Sequence, residues 1–301
     1  MTDHPRDGID PEPAELPRLS VVMPARNSEP FLAEALDALA DQEYPQWWET
    51  IIVSGGSTDR TVPIARSYRD RLPHLQVVAL DTPAIPSRAQ NIGIGRSSGD
   101  VLVFLDSDDV TAPGYLAALG QALLEHPVVG ARVAADQINA ADTQNWRRPL
   151  QTDHIETFFN FWPGVIGAAM AARRDPVIAV DGFDEALATQ QDIDLSWRLL
   201  AAGYPATHVP DAVLHYRYRA DNRQIFRQHV GYGIGEAQLF KKYRAAGMPR
   251  RGPIRFAASL ARLGGALLNP DRVAGRSRAA AISGLLAGRL RGSIQHKTLY
   301  L

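Results

Sequence analysis

Cysteine is absent from the 301 residues, which excludes disulfide bonds and thiolate metal sites alike. Any metal must then sit on carboxylate, imidazole or carbonyl ligands, and a reducing cytoplasm suits the chain. Nowhere does an apolar run approach the roughly 20 residues that span a bilayer, so no transmembrane helix is expected. The opening stretch, Met1 to Pro17, is rich in Asp, Glu and Pro and lacks a basic start followed by an apolar run. It reads as a disordered leader over residues 1–17 rather than a signal peptide. Basic residues are also scarce for most of the length. The first 216 residues hold 15 Lys and Arg against 30 Asp and Glu, whereas Arg217 to Leu301 hold 17 against 3. The net charge of −1 therefore conceals two oppositely charged parts. Either they attract each other and pack, or the basic part meets an anionic membrane surface, and the two readings are compatible.

What the sequence does contain is enough apolar residues, 45%, for a sizeable core in one large α/β domain with additions. Leu19 to Met23, Thr50 to Val53, Gln76 to Leu80 and Val101 to Leu105 are short apolar runs that read as strands. Helical segments fall between them, after Ser28 and Pro30, from Thr61 to Asp70, and within Ser87 to Arg96. Continuously apolar strands alternating with helices predict a mostly parallel sheet covered on both faces. Ligands of such sheets bind beyond the carboxyl ends of the strands. Here those ends carry Pro24-Ala25-Arg26-Asn27, Ser54 to Asp59 and Asp106-Ser107-Asp108-Asp109. Further on, strands are expected over Gly167 to Ala172 and Val213 to Tyr218. Helices are expected over Asp192 to Ala201, Asn222 to Tyr243, along the stripe Phe256, Leu260, Leu263, Leu267, and over Ala279 to Leu290.

The densest chemical signal is Phe104-Leu105-Asp106-Ser107-Asp108-Asp109. Three carboxylates at the end of a buried strand repel one another unless a cation is bound, and hard oxygen ligands point to Mg²⁺ or Mn²⁺ on Asp106 and Asp108. Asp109 reads equally as the N-cap of a helix over Tyr115 to Leu124. In Ser54-Gly55-Gly56-Ser57 a glycine pair between strand and helix lets the backbone approach an anion. Arg88 could hold a diphosphate and Asn91 a sugar or a backbone group, or both could be structural. Asp192 at a helix start is either a cap or a general base, and Asp194 with Arg198 reads as a surface ion pair. His215 follows the apolar pair Val213-Leu214 and is a packed structural residue unless the aspartate cluster holds a metal. Aromatics Phe158, Phe159, Phe161 and Trp162 suit an acceptor pocket or a core.

Taken in order, these pieces resemble the inverting family 2 glycosyltransferases of the nucleotide-diphospho-sugar transferase (GT-A) fold. The resemblance rests on Val21 to Asn27, Ile51 to Thr61, Arg88 to Gly93, Phe104 to Asp109, Gly182 to Glu185, Asp192 to Arg198, and Val209 to Ala212 with His215. It implies a GT-A domain over 18–216, Rossmann-like, followed by a basic helical region over 217–301. It implies a hexosyl-transferring enzyme that uses a UDP-, GDP- or dTDP-sugar, and no nucleic-acid partner is expected. Pro24, Ala25 and Asn27 would line the nucleotide pocket, with Ser54, Gly56, Asn91 and Ser107 counted among the donor-contacting positions. Arg88 would meet the diphosphate. Asp106 and Asp108 would hold the donor through the metal, His215 could join the diphosphate or metal shell, and Asp192 would be the base.

Two departures stand out. The family usually has Asp where this chain has Ser54, and often Glu where it has Gln191. They motivate an alternative, a non-catalytic nucleotide-sugar-binding or partner-binding protein on the same fold. A nucleotidyltransferase is a third reading. For the enzyme, the acceptor is expected to be a glycan or a lipid-linked sugar in envelope or surface glycan synthesis. Arg255, Arg262, Arg272, Arg276, Arg278, Arg289 and Arg291 flank apolar helical stripes. They suit either peripheral contact at the inner face of the plasma membrane or a dimer interface.

Overall fold

Val21 and Met23 point to one side of a strand and Val22 to the other, yet all three are fully buried, as a strand covered on both faces requires. In the computed structural model, which describes residues 15–140 and 146–301, this strand is β1 (Leu19–Ala25). Residues 1–14, most of the expected leader, lie outside the described residues. β1 lies parallel to β2 (Trp48–Gly55) on one side and to β4 (Val101–Phe104) on the other, and β3 (Gln76–Leu80) extends the sheet beyond β2. The β4 pairing ends at Val22–Phe104, so Pro24 lies past it and withholds its missing N–H from no ladder bond.

The two faces have separate cores. Val21, Met23, Val101 and Val103 pack with Leu32, Leu36 and Leu39 of α1 (Leu32–Ala40) and with Tyr115, Leu116 and Leu119 of α4 (Tyr115–Ala122). Val22, Leu102 and Phe104 pack with Ile94 of α3 (Pro86–Arg96) and with Leu195 and Leu199 of α6 (Gln191–Ala201). The short helix α2 (Thr61–Ser67) follows β2. The full eight-stranded order is β3-β2-β1-β4-β9-β6-β10-β5. In it β9 (Met170–Arg173) runs antiparallel to both β4 and β6 (Val128–Ala134). β10 (Ala206–His215) is parallel to β6 and antiparallel to the two-residue β5 (Val110–Thr111). The sheet is thus mixed and mostly parallel, an α/β arrangement of the expected kind. Gly167–Ala169 form a 3₁₀ turn ahead of β9, whereas the apolar run there suggested strand throughout. A small hairpin, β7 (Thr157–Phe158) with β8 (Trp162–Pro163), and the helix α5 (Arg174–Ala179) complete this part.

The basic part forms α7 (Asn222–Tyr243), α8 (Pro253–Leu267) and α9 (Arg272–Gln295). The helix over Asn222 to Tyr243 matches the sequence expectation, and α9 extends beyond the expected one at both ends. α7 and α9 approach at backbone distance. A Cβ placed on Gly288 would lie 2.2 Å from the carbonyl oxygen of Val230, and one on Gly284 would lie 2.5 Å from that of Phe226. Inside this seam Arg289 Nε donates to Glu236 Oε2 at 2.7 Å, both side chains being buried.

The apolar core crosses the expected 216/217 boundary: Leu187, Ile193 and Trp197 cluster with Ala237, Phe240, Tyr243 and Tyr300. Asp194 joins the two parts electrostatically. It is fully buried and accepts from Arg198 Nε at 2.8 Å and Tyr243 Oη at 2.8 Å, with Lys242 Nζ at 2.7 Å. The expected surface pair of Asp194 and Arg198 is therefore an interior hub, because α7 covers the face of α6 that carries Asp194.

The glycine seam is testable. Gly288→Ala should lower stability by about 1–3 kcal/mol, since a packed backbone must separate to admit the methyl group. Gly264→Ala, where a Cβ meets nothing within 4 Å, should be neutral or stabilising by up to about 1 kcal/mol. Urea unfolding midpoints of the two variants measure both effects.

Candidate functional site

The loops after β1 and β2 are tied to one another by short polar side chains. Asn27, at φ 51°, accepts from the Thr58 N–H at 2.9 Å, and its own N–H donates to Ser57 Oγ at 3.1 Å. Asp59 accepts from Glu29 N and from both Thr61 N and Thr61 Oγ1, while Ser28 N donates to Thr61 Oγ1. Ser28 and Ser107 hydroxyls meet at 2.7 Å, which adds the loop after β4. Together these loops frame a cavity of about 510 Å³ lined by Pro24, Ala25, Asn27, Gly55, Ala84, Pro86, Asp106, Ser107, Asp108 and Arg219. It lies beyond the carboxyl ends of β1, β2 and β4, where an open α/β sheet takes its ligands.

One carboxylate oxygen from each of Asp106, Asp108 and Asp109 lies within 4.8 Å of the others. Asp109 belongs to this cluster rather than to a helix cap, since α4 begins six residues later, after Gly114 as its N-cap. Burial, then the charges of Asp108 and Asp192, push the Asp106 carboxyl up to about 7. Burial, then the charges of Asp108 and Asp106, push Asp109 well above the usual range. Two arginines from the chain just after β10 answer this charge. Arg219 pairs with Asp108. Arg217 donates its N–H to Asp109 Oδ1 and its Nε to the Asp108 carbonyl, both at 2.8 Å, and its guanidinium reaches Glu34 at 2.6 Å. The remaining oxygen, Asp109 Oδ2, is buried without a hydrogen-bond partner. An all-carboxylate donor set with an unsatisfied buried oxygen fits a hard divalent cation.

The other expected site residues are placed as follows. Ser54 is buried and donates its hydroxyl to Ser57 Oγ at 2.8 Å, off the cavity wall. Gly56 (φ +66°) packs on the backbone of Thr82 and Pro83, so Gly55 rather than Gly56 lines the cavity. Arg88 is exposed on α3 and is not in the lining. The Asn91 carboxamide donates to Phe183 O and Glu185 Oε1 and accepts from Phe183 N at 2.8 Å, which commits it to the Gly182–Glu185 turn. His215 ends β10 opposite Val110, outside the three-carboxylate group, and burial holds its pKa below the ordinary value. Asp109, Arg217 and Arg219 were not among the expected site residues. The only sequence signal for the arginines was that the charge reverses sign at Arg217.

Asp192 lines a second cavity of about 590 Å³, together with Trp146, Phe158, Phe159, Tyr216, Tyr218, His229, Tyr232 and Glu236. Its Oδ2 accepts from Gly167 N at 2.8 Å and its Oδ1 from Ile193 N at 2.9 Å. Burial raises its pKa despite these bonds. Of the four expected pocket aromatics, Phe158 and Phe159 face this cavity, whereas Phe161 and Trp162 stack at 4.4 Å and pack against Trp197. Tyr216 and Tyr232 line this second cavity with Asp192.

Sequence comparison matches residues 20–181 to the model of glycosyl transferase family 2. The probable glycosyltransferase YdaM of Bacillus subtilis is 27% identical over 248 residues, covering 77% of this chain and 58% of YdaM. Poly(ribitol-phosphate) beta-N-acetylglucosaminyltransferase TarS of Staphylococcus aureus is 36% identical over 94 residues, 31% of this chain and 16% of TarS. This chain therefore spans well under two thirds of either relative. The structure of TarS 1–349 in complex with UDP superposes with a TM-score of 0.54 at 19% identity, covering 94% of this chain and 93% of that one. The mannosyltransferase PcManGT of Pyrobaculum calidifontis, in complex with GDP-Man and Mn²⁺, superposes with a TM-score of 0.63 at 21% identity, covering 96% and 90%. At these identities the structures establish the shared fold.

The raised Asp106 pKa has a stability consequence. A native carboxyl that titrates near 7 rather than 3.8 binds protons the unfolded chain has released, so stability falls as pH rises between those values. Asp106→Asn removes that term. In metal-free protein it should raise the melting temperature relative to wild type by about 2 °C or more at pH 8, with the difference vanishing near pH 4. Differential scanning calorimetry in chelator across this pH range measures it.

Proposed function

The chain belongs to glycosyl transferase family 2, and on that premise we propose that it moves a sugar from a nucleoside-diphosphate donor to an acceptor hydroxyl, with inversion at the anomeric carbon. The observation that carries this reading is the pairing of two acidic centres. One is a three-carboxylate cluster on a cavity at the carboxyl edge of the sheet, and the other is a single half-buried carboxylate, Asp192, in the second cavity.

Pro24, Ala25 and Asn27 form the wall against which the nucleotide lies, and Ser107 stands beside them. Asp106 and Asp108, with Asp109, are the residues that would hold Mg²⁺ or Mn²⁺. When bound, the ion neutralises the charge that develops on the departing nucleoside diphosphate. Arg219, on the same cavity wall and already paired with Asp108, adds a permanent positive charge beside that leaving group. Asp192 accepts the proton of the attacking hydroxyl. Its two backbone N–H bonds orient the carboxylate, while its burial raises its basicity. One displacement by the acceptor hydroxyl, with Asp192 as its base, inverts the anomeric centre.

The aromatic second cavity suits a carbohydrate acceptor, whose apolar ring faces pack on Trp146, Phe158 and Tyr218 while its hydroxyls reach Asp192 and Glu236. A glycan or lipid-linked acceptor in envelope or surface glycan synthesis follows from that chemistry, and the poly(ribitol-phosphate) in the TarS name supports a polymeric one. The donor is a UDP-, GDP- or dTDP-sugar. We assign the transfer chemistry to residues 18–216, with the helical region 217–301 closing both cavities through Arg219, Tyr232 and Glu236. Among the described residues no helix is long and apolar enough to cross a membrane, and the cytoplasmic side of the plasma membrane is the proposed place of action.

Calorimetric titration with UDP, GDP and dTDP, each with and without Mn²⁺, should show metal-dependent binding of one nucleotide, weakened at least ~10-fold by Asp108→Ala. Asp192→Asn should bind that nucleotide normally yet lose roughly 10²–10⁴-fold in kcat. Because the base must be ionised, kcat of the wild type should fall as pH drops through a value above the ordinary carboxylate range. Undiminished transfer by Asp192→Asn would remove the base assignment. Release of pyrophosphate from a nucleoside triphosphate would replace transfer by nucleotidyl chemistry, and absence of any nucleotide binding would favour a non-catalytic protein.

A further inference from the structure

α8 is turned inside out for a helix on a water-facing surface. Its polar residues Arg255, Ser259 and Arg262 fall at i, i+4 and i+7, on the face directed at the body of the protein. Ser259 and Ala266 are buried there, Arg255 is half-buried, and Arg262, itself exposed, donates to Ser259 Oγ and lines the second cavity. The apolar residues point outward: Ile254 is 84% exposed, Leu267 69% and Leu268 85%, with Phe256 and Leu260 beside them. A helix that packs polar groups inward and leaves large apolar side chains in water is unfavourable unless an apolar medium covers it.

Charge identifies that medium. Arg250 borders an apolar groove at the start of α8, and Arg272 and Arg276 line a pocket with Leu267 and Leu268 at its end. From Arg244 to the end of the chain the only acid is Asp271, which caps α9 by accepting from Val273 N and Ala274 N. A symmetric contact between two copies across this face would set arginine against arginine. A surface of phosphate headgroups over acyl chains satisfies both the apolar face and its basic ends.

We propose that α8 seats the protein on the surface of an anionic bilayer. Ile254, Leu260, Leu267 and Leu268 enter the acyl boundary, and the exposed Arg250, Arg272 and Arg276 meet lipid phosphates. The helix is about 22 Å long, too short to span the ~30 Å hydrocarbon layer, so it lies in the interface plane. Because Arg262 reaches from this helix into the second cavity, docking sets that cavity beside the bilayer, where a lipid-linked acceptor presents its sugar. That consequence rests on the transfer reading above, whereas the docking does not.

Co-sedimentation of the full chain with phosphatidylcholine vesicles, with and without phosphatidylglycerol, tests the docking. Binding is expected to the anionic vesicles, weakly or not at all to phosphatidylcholine alone, and to weaken as salt rises. Arg272→Gln/Arg276→Gln should weaken it roughly ten- to thirty-fold. Ile254→Glu/Leu267→Glu should weaken it about tenfold or more. Both double variants change surface residues, so wild-type thermal unfolding and nucleotide binding confirm that they fold. Wild-type protein that stays in the supernatant with anionic vesicles overturns the proposal, as does an Ile254→Glu/Leu267→Glu variant that sediments like wild type. Light scattering that shows a concentration-dependent dimer, lost in the same variant, with no vesicle binding, would give this face to a second copy.

Discussion

Three carboxylates, Asp106, Asp108 and Asp109, converge near the carboxyl edge of the sheet, and poorly hydrated like charges at short range cannot all stay ionised. Their mutual repulsion sets the terms for what surrounds them. The chain leaving β10 returns across the edge so that Arg217 and Arg219 reach Asp109 and Asp108. That return fixes where α7 begins, and so where the basic helices lie. The compensation is incomplete: Asp106 still titrates near 7, and one oxygen of Asp109 has no partner. The residual demand for positive charge supports the proposal that this edge takes a divalent ion and a diphosphate.

The basic helices are held by interactions of a different kind. Asp194 gathers Arg198, Tyr243 and Lys242 into a buried hub between α6 and α7. Each partner offsets part of the cost of burying the carboxylate, a requirement an isolated pair would meet poorly. Glycines at 284 and 288 then let α9 lie on α7 at backbone distance. Asp192, two residues from the hub on α6, is positioned by the same helix, so the placement of the proposed base depends on packing that begins in the C-terminal part. α8 takes little share in this packing, and its apolar side is left facing outward.

The apolar runs of β1, β2 and β4, buried on both faces, made a sheet with helices on either side legible from the sequence, because a strand with no polar alternation has no face to give to water. The carboxyl-end loops and the aspartate run were legible for the same reason: chemistry at a strand end is local in sequence. Other features were not. β9 runs antiparallel, but an apolar strand reads the same in either direction. Asn91 and Ser54 are polar residues beside a predicted site, and only tertiary contact shows that their hydrogen bonds are spent on the Gly182–Glu185 turn and on Ser57.

By itself, the sequence determined the layered α/β fold, the acidic edge and the excess of positive charge after residue 216, since these follow from patterns a few residues long. Tertiary structure alone decided that Asp109 joins the carboxylate cluster and that His215 stands apart from it. It also decided that Arg219 meets Asp108 across 111 positions of chain, and that Asp194 is interior. Such pairings depend on which surfaces a fold brings face to face, and no local spacing encodes that.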